Sequence, residues 1–428
     1  MRVAIVGSGI AGLTAAYRLC KQHDIVVFEA NDYLGGHAAT IDVELQGRQW
    51  AIDTGFIVFN DWTYPRFIAL LEELDVPWQH SDMSFSVHCE RTGFEYNGTS
   101  LNTLFAQRIN MLRPSFWRML ADILRFNTTA RRLLAAGGDS LTLAEYLERE
   151  SYSQAFRERY IVPMGRAVWS ATESAMLAFP LRFFVEFFDR HGFLNISHRP
   201  VWRTVKGGSR EYVRKLAASL RGSIRLATPV VGIKREASHV LVRTRHGDVE
   251  RFDHVILACH SDQALAMLQD PTPAELAVLG AFPYQRNEVL LHTDARLLPR
   301  RPLARAAWNY HLLAAKQDRV ALTYDMNILQ GLQAPEKFLV TLNQGRAVDP
   351  AKVLGAYTYH HPVYTPAAVQ AQRQLAVVSG LNRTFYCGAY WGCGFHEDGV
   401  VSGEKAAADL MRLAERDDVV PRGMRRSA

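Results

Sequence analysis

The sequence has few cysteines for its length, which excludes several classes of protein. Its 428 residues include five cysteines, an odd number, and no C-x-x-C pair. Disulfide scaffolds and thioredoxin-like redox sites need pairs that this chain does not offer. Cys393 and His396 form a C-x-x-H pair without partner ligands, so we predict no metal site. We expect free thiols in a reducing, cytoplasmic compartment.

Long apolar runs and repeats are also absent. No run of 18 apolar residues occurs, so the sequence predicts no transmembrane helix. The first strand pattern begins at Arg2, so we expect no signal peptide. The chain ends in VVPRGMRRSA, a short basic stretch that we expect to be disordered.

A glycine turn between a strand and a helix opens the chain. RVAIV is short, apolar and β-branched, which is typical of a strand buried in a parallel sheet. A G-x-G-x-x-G turn follows, and apolar residues then recur at helical spacing. The first glycine permits the tight turn, the second leaves room for a pyrophosphate, and the third lets the helix pack on the strand. The predicted dinucleotide contacts in this turn are Gly7, Ser8, Gly9, Ile10, Ala11 and Gly12.

A carboxylate ends the second predicted strand. The run IVVF leads to Glu29 and Ala30, which we predict to lie at the ribose of an adenosine. A carboxylate there accepts hydrogen bonds from the ribose hydroxyls and repels a 2′-phosphate. The pattern disfavours NADP and fits either NAD or FAD.

A second glycine pair separates these two cofactors. Gly35, Gly36 and His37 follow Glu29 closely, which brings a second stretch of backbone to the same phosphates. A nicotinamide site does not need such a stretch. Here the sequence resembles the flavin-dependent amine oxidase and phytoene desaturase superfamily, whose E-x-x-x-x-x-G-G pattern is usually followed by Arg. The resemblance implies FAD, with the weaker, pH-dependent donor His37 in the place of that Arg.

Further segments carry the same resemblance. DTGFI resembles the stretch that passes beside the flavin ring in this superfamily, which implies contacts from Gly55, Phe56 and Ile57. VKGGSREYVRKL resembles its GG segment, and DHVILACHSDQAL resembles the strand that rejoins the first sheet. IRLATPVVGIKRE resembles the strand whose Val, here Val230, contacts adenine through its backbone.

The C-terminal part resembles the segment that closes the FAD site. The residues TFYC would form a strand, Gly388 the turn, and Asp398 and Gly399 the opening of a helix. The resemblance implies that this helix N-terminus points at the pyrimidine edge of the flavin and stabilises negative charge there. Amine oxidases usually carry Glu two residues after the turn glycine, whereas this chain has Tyr390.

The resemblance implies an α/β fold with a bipartite, GR2-like Rossmann-type FAD-binding domain and an inserted α+β substrate domain. We assign residues 1–60, 200–270 and 376–415 to the FAD-binding domain, 61–199 and 271–375 to the substrate-binding domain, and 416–428 to a basic tail. More narrowly, TYDMNILQGL, YHHPVYTPAAVQAQ and YWGCGFHEDG resemble bacterial oxidoreductases associated with cyclopropane fatty acid synthases. Some relatives of that group act as fatty-acyl desaturases in furan fatty acid formation.

Two stretches combine arginines with apolar residues. LNTLFAQRINMLRPSFWRMLADILRFNTTARRLLAAG holds six arginines against one acid, Asp122, and MLAFPLRFFVEFFDRHGFL is a second such stretch. An apolar face flanked by arginines is typical of a helix at a membrane interface. The alternative is that both stretches are amphipathic helices of a protein core. The charge is accompanied by no nucleic-acid-binding motif, so we expect no nucleic-acid partner.

The chemistry is only partly specified by the sequence. No second nucleotide-binding turn follows the first, which suggests that the substrate itself reduces the flavin by hydride transfer to N5. The superfamily's amine oxidases commonly carry a Lys near N5, but the comparable stretch YQRNEVLLHTD has none. The catalytic residues stay unassigned, with Tyr390, Trp391 and His396 as candidates.

We therefore predict an FAD-dependent oxidoreductase that dehydrogenates an apolar substrate, with a fatty-acyl chain, free or phospholipid-bound, as the favoured substrate. One alternative is an amine oxidase of the same superfamily. Another is a non-catalytic flavoprotein that presents lipid to an enzyme such as a lipid methyltransferase. We also expect peripheral contact with the inner face of an anionic membrane.

Overall fold

The computed structural model describes residues 1–136, 141–220, 222–315 and 318–419. Residues 420–428 of the predicted basic tail lie outside the described residues, while 416–419 continue the last helix. The described strands are β1 (Arg2–Val6), β2 (Asp24–Phe28), β3 (Thr40–Leu45), β4 (Arg48–Asp53), β5 (Phe59–Asn60), β6 (Trp78–His80), β7 (Phe85–Cys89), β8 (Phe94–Asn97), β9 (Trp202–Val205), β10 (Ile224–Arg225), β11 (Val230–Arg235), β12 (Val240–Thr244), β13 (Val249–Phe252), β14 (His254–Leu257), β15 (Tyr284–His292), β16 (Trp308–Leu312), β17 (Leu322–Asp325), β18 (Leu339–Leu342), β19 (Val353–Pro362) and β20 (Thr384–Tyr386).

Sixteen α-helices lie in the described ranges. None of those described is long and apolar enough to cross a membrane. They are α1 (Ile10–Leu19), α2 (Pro65–Glu73), α3 (Leu101–Leu104), α4 (Pro114–Ala136), α5 (Leu143–Arg149), α6 (Gln154–Phe156), α7 (Val162–Trp169), α8 (Glu173–Leu177), α9 (Leu181–Arg190), α10 (Arg210–Ala218), α11 (Ser261–Met267), α12 (Pro273–Leu279), α13 (Met326–Leu329), α14 (Pro366–Gln372), α15 (Leu375–Val378) and α16 (His396–Val419).

A five-stranded parallel sheet organises the nucleotide-binding part. Its order is β10–β2–β1–β14–β20, so segments from both ends of the chain and from its middle meet in one sheet. Because β1 lies at the centre, Val3, Ala4 and Ile5 are fully buried. Helices α1, α10 and α16 pack on one face, and strands β11–β13 with α11 and α12 cover the other. This three-layer arrangement is the predicted Rossmann-type architecture.

A seven-stranded mixed sheet forms the inserted part, in the order β19–β15–β18–β17–β16–β7–β8. Helices α4 to α9 cover one face and form an aromatic core with it. In that core the ring of Trp169 lies 4.6 Å from Phe187 and 4.7 Å from Phe179, measured between ring centroids. The apolar side chains of α9 are buried here, so this second arginine-containing stretch is a core helix and not a membrane helix.

Helix α2 and a small sheet connect the nucleotide-binding part to the inserted part near the predicted domain boundaries. Helix α2 lies in the sequence assigned to the substrate-binding domain, but Phe67, Leu70 and Leu71 pack in the same core as α1 and α16. The small sheet β5–β9–β6 also pairs strands from both assignments. The apolar face of α2 is therefore buried against the nucleotide-binding part.

Candidate flavin-binding site

The first glycine turn has the geometry that a dinucleotide needs. Gly7 has φ +107° and donates its N–H to the carbonyl of Phe28 at 2.9 Å. A Cβ on Gly7 would lie 2.6 Å from the carbonyl oxygen of Ala258, and a Cβ on Gly12 would overlap the carbonyl of Gly7. A Cβ on Gly9 would meet no atom within 4 Å, so space is open beside the N-terminus of α1. An anion can approach the free N–H groups there.

The second glycine pair packs directly against the first turn. Gly35 has φ +106° and donates its N–H to the carbonyl of Ser8 at 3.1 Å. A Cβ on Gly36, whose φ is +58°, would lie 3.3 Å from Cα of Gly9. The two loops therefore line one space, as the sequence predicts.

The carboxylate of Glu29 stands at the rim of this space. It is buried and accepts hydrogen bonds from the N–H of Ser8 at 3.0 Å and from the N–H and side chain of Asn31 at 2.9 and 3.0 Å. The chain before Val230 runs alongside, since the N–H of Thr228 donates to the carbonyl of Glu29 at 2.8 Å. Asn31 was not among the predicted site residues, because an Asn after a strand has no distinctive pattern.

His37 connects the glycine loops to strand β19. Its ring centroid lies 5.0 Å from Tyr359 and 5.5 Å from His361, while Nε2 is buried without a hydrogen-bond partner within the described part of the chain. Burial, aided by the nearby His260 and His360, lowers the pKa of His37 to about 4. The imidazole is therefore neutral near pH 7, and its orphaned Nε2 fits a ligand atom in the space. No pattern in the sequence indicates that histidines from three segments converge here.

The DTGFI segment is held by a buried aspartate. Asp53 accepts hydrogen bonds from the Thr40 hydroxyl at 2.6 Å and from the N–H and hydroxyl of Ser209 at 2.9 and 2.8 Å. Desolvation raises its pKa to about 6. Gly55 packs on the His37 backbone and Phe56 donates its N–H to the His37 carbonyl at 2.7 Å. Asp53 thus fixes the loop that carries the predicted contacts Gly55, Phe56 and Ile57.

His396 has contacts that favour a positioning role. It stacks on Phe56 with centroids 3.5 Å apart, and its Nε2 lies 2.9 Å from the hydroxyl of the buried Tyr212. Burial holds its pKa well below the usual range. The ring is therefore neutral and already partnered.

The C-terminal helix begins two residues earlier than predicted, at His396 rather than Asp398. The carboxylate of Asp398 accepts the Phe395 N–H at 2.9 Å, and burial raises its pKa to about 6. A Cβ on Gly399 would lie 2.5 Å from Ile10, and one on Gly403 would overlap the carbonyl of Ala11. These contacts bring the N-terminal turns of α16 and α1 together.

The other two catalytic candidates pack beside Phe282. The ring of Tyr390 lies 5.0 Å from that of Phe282, and the ring of Trp391 lies 5.5 Å from it. The Tyr390 hydroxyl and the Trp391 indole N–H are buried without a partner among the described atoms. The N–H of Gly388, before them, donates to the Ser402 hydroxyl at 3.0 Å. The assignment of Tyr390 and Trp391 as catalytic candidates stays a prediction.

Comparison with known proteins identifies the family. The profile of the family described as flavin containing amine oxidoreductase matches residues 10–290. The chain belongs to this family. It is therefore a flavoprotein of the oxidoreductase type, with FAD as its cofactor, and the paired glycine loops, Glu29 and the orphaned Nε2 of His37 fit that cofactor.

Curated relatives match this chain over part of their length. The L-amino acid dehydrogenase of Synechocystis is 27% identical over 258 residues, 57% of this chain and 52% of that protein. A candidate flavin-containing monoamine oxidase of Mycobacterium tuberculosis, AofH, is 27% identical over 278 residues, 63% of this chain and 59% of that protein. The chain thus spans between half and three fifths of the length of these relatives.

Solved structures share the fold over nearly the whole chain. Cyclohexylamine oxidase from Brevibacterium oxydans has a TM-score of 0.69 at 18% identity and covers 97% of this chain and 99% of its own. The CLA-producing fatty acid isomerase from P. acnes also has a TM-score of 0.69, at 16% identity, and covers 96% of this chain and 98% of its own. These likenesses confirm the predicted α/β fold class.

Proposed function

We propose that this protein dehydrogenates an apolar substrate and that a fatty-acyl chain is the favoured one. Bound FAD would accept a hydride equivalent from the substrate. The observation that carries the proposal is the neutrality of three side chains, Asn287 on β15 and Tyr359 and His361 on β19. No lysine is buried anywhere in the described ranges, and the usual lysine-bearing stretch offers the buried Asn287 instead.

Hydrogen bonds hold Asn287 in place. Its Nδ2 lies 3.2 Å from Nδ1 of His361, and its Oδ1 accepts a hydrogen bond from Asn343 at 2.9 Å. Burial lowers the pKa of His361 to about 3 and that of His260 to about 4, while it raises the pKa of Tyr359. These groups are uncharged near pH 7. A neutral, largely aromatic wall suits an uncharged alkyl segment.

Amine oxidation is the second candidate function. It is favoured by the family itself and by the monoamine oxidase description of AofH. Other relatives are described as desaturases and not as amine oxidases. The 15-cis-phytoene desaturase of Synechococcus elongatus is 36% identical over 91 residues, 20% of this chain and 18% of that protein. The absence of a buried lysine in the described ranges argues against amine oxidation.

The test is an anaerobic titration of the FAD-loaded protein. Bacterial phospholipid extract is added to one sample and a mixture of monoamines and polyamines to another, and the visible absorbance of oxidised flavin is followed. We expect the lipid extract to bleach the flavin. Bleaching by amines alone would overturn the proposal, and no bleaching by either would favour the non-catalytic flavoprotein.

We also propose that the acyl chain comes from an anionic membrane that binds an exposed surface formed by α3, the 3₁₀ turn Arg108–Leu112 and the start of α4. Leu101 and Leu112 are 77% and 78% exposed there, and Trp117 is 52% exposed. Residues 96–121 contain arginines but no acidic residue. Exposed apolar side chains among arginines favour an interface rich in anionic lipid.

A further inference from the structure

The part of the chain built around the seven-stranded sheet contains a cavity of about 760 Å³. One wall is the continuous helix formed by α6, a π-helical turn at Arg157–Ile161, and α7. The rest of the lining includes the end of β16 with residues 313–315 and the β7–β8 turn. None of the lining residues belongs to the glycine loops, so the cavity is distinct from the space that those loops line.

The cavity combines an apolar lining with arginines. Val162, Pro163, Leu177 and Leu312 contribute apolar surface. The ionisable side chains in the lining include five arginines and two glutamates: Arg91, Arg157, Arg159, Arg166, Arg319, Glu158 and Glu173. Such a lining fits a ligand with an alkyl segment and a negative head.

Three of these arginines have no carboxylate partner among the described residues. Arg91 and Arg157 make no side-chain hydrogen bond or ion pair there, and Arg159 makes only a stacking contact with Phe94, its guanidinium carbon 4.7 Å from the ring centroid. Arg166 is different, since it is buried and donates to the carbonyl of Ala171 at 3.2 Å. The unpaired guanidinium groups are therefore free to bind an anion.

The π-helical turn brings two of them, Arg157 and Arg159, to the cavity. The N–H of Val162 donates to the carbonyl of Arg157, five residues back, which widens the helix by one residue. The hydroxyl of Tyr96 donates to the carbonyl of Arg159 at 2.8 Å and so anchors the widened turn to β8. π-helical turns of this kind are frequent at functional sites.

The cavity lies beside the proposed membrane surface. Gln107, next to the 3₁₀ turn, donates its Nε2 to the carbonyl of Gly93 at 3.0 Å, and Gly93 directly follows the lining residues Arg91 and Thr92. We propose that this cavity binds the anionic head, carboxylate or phosphate, of a single-chain amphiphile. The proposal rests on the proposed function, because it assigns a binding site to the head of the acyl ligand.

Isothermal titration calorimetry of the FAD-loaded protein tests this proposal. The ligands are laurate, dodecyl phosphate, dodecylamine and inorganic phosphate, each below its aggregation concentration. We expect laurate or dodecyl phosphate to bind, and Arg157→Gln and Arg91→Gln each to weaken that binding by about tenfold. Arg243→Gln, at an exposed arginine of β12, is the matched control and should leave the affinity unchanged.

The outcomes separate the possible ligands. Tighter binding of dodecyl phosphate than of laurate would assign the head to a phospholipid phosphate, and the reverse order to a free fatty acid. Equal binding of dodecylamine, equal binding of inorganic phosphate alone, or unchanged affinity in both variants would overturn the proposal. Calorimetry does not depend on turnover, so laurate that binds but does not bleach the flavin would contradict only the proposed function.

Discussion

At the scale of single residues, His37 is the least expected feature of the flavin site. The superfamily pattern usually has Arg there, and a permanent positive charge would suit a pyrophosphate. The neutral ring of His37 instead leaves Nε2 buried and unpartnered in the described structure. A buried polar atom without a partner carries a free-energy cost that a bound ligand can remove. We therefore expect His37 to contribute to cofactor affinity through one hydrogen bond from this ring.

We expect His37→Ala to raise the dissociation constant for FAD by about tenfold, since one hydrogen bond to a charged or polar ligand atom is lost. Quenching of flavin fluorescence on titration of the apoprotein measures this constant. The control is His360→Ala, because His360 is a close but exposed neighbour. Equal dissociation constants for the two variants would show that Nε2 of His37 does not contact the cofactor.

At the scale of elements, the contact between α1 and α16 determines where the two helix N-termini lie. Gly403 faces the carbonyl of Ala11 so closely that a methyl group would overlap it. Gly→Ala in a helix interior normally stabilises a protein by about 1 kcal/mol. We expect the opposite sign here: Gly403→Ala should lower the free energy of unfolding by about 1–3 kcal/mol through overpacking. Urea unfolding of the apoprotein measures it, and an increase in stability would contradict the close contact.

The proposed membrane surface can also be tested as an element. Replacing Ile109 and Leu112 together by Ser removes exposed apolar area and leaves the arginines in place. We expect the fraction of protein that floats with phosphatidylglycerol vesicles to fall several-fold, because interfacial binding scales with buried apolar area. Val249→Ser, at an exposed apolar residue of β13, should change nothing. Wild-type protein that floats equally well with zwitterionic vesicles would count against the role of the arginines.

At the scale of the whole molecule, the sequence predicts what depends on local pattern. Three features of the flavin site have fixed spacing in the sequence, and the structure brings them together. They are the strand–glycine–helix unit at Arg2–Leu19, the carboxylate of Glu29 and the second glycine pair. Contacts between distant segments have no such signature. Asp53 accepts a hydrogen bond from Ser209, which lies 156 residues away in the sequence. No pattern around either residue predicts this contact. The histidines near His37, which are His260 and His361, likewise come from distant segments of the chain.

Burial of ionisable groups makes the stability of the whole molecule depend on pH. Eight described histidines have a pKa below the ordinary value of 6.5, chiefly through desolvation, and three carboxyl groups have a raised pKa. The histidines are His23, His37, His191, His260, His292, His311, His361 and His396. The carboxyl groups are Asp53, Glu397 and Asp398.

These two sets act in opposite directions as the pH falls from 7 to 5. The unfolded chain protonates its histidines near pH 6.5, whereas the folded protein keeps the buried rings neutral, so protonation favours unfolding. The raised carboxyl groups take up protons first in the folded state and offset part of this effect. Because the histidines are more numerous, we expect the urea midpoint of the apoprotein to fall between pH 7 and pH 5. His191→Gln, which removes a ring whose pKa burial lowers to about 4, should flatten that profile, while His80→Gln, at an exposed position, should not. A midpoint that is constant or rises over this range would contradict the dominance of the buried histidines over the raised carboxyl groups.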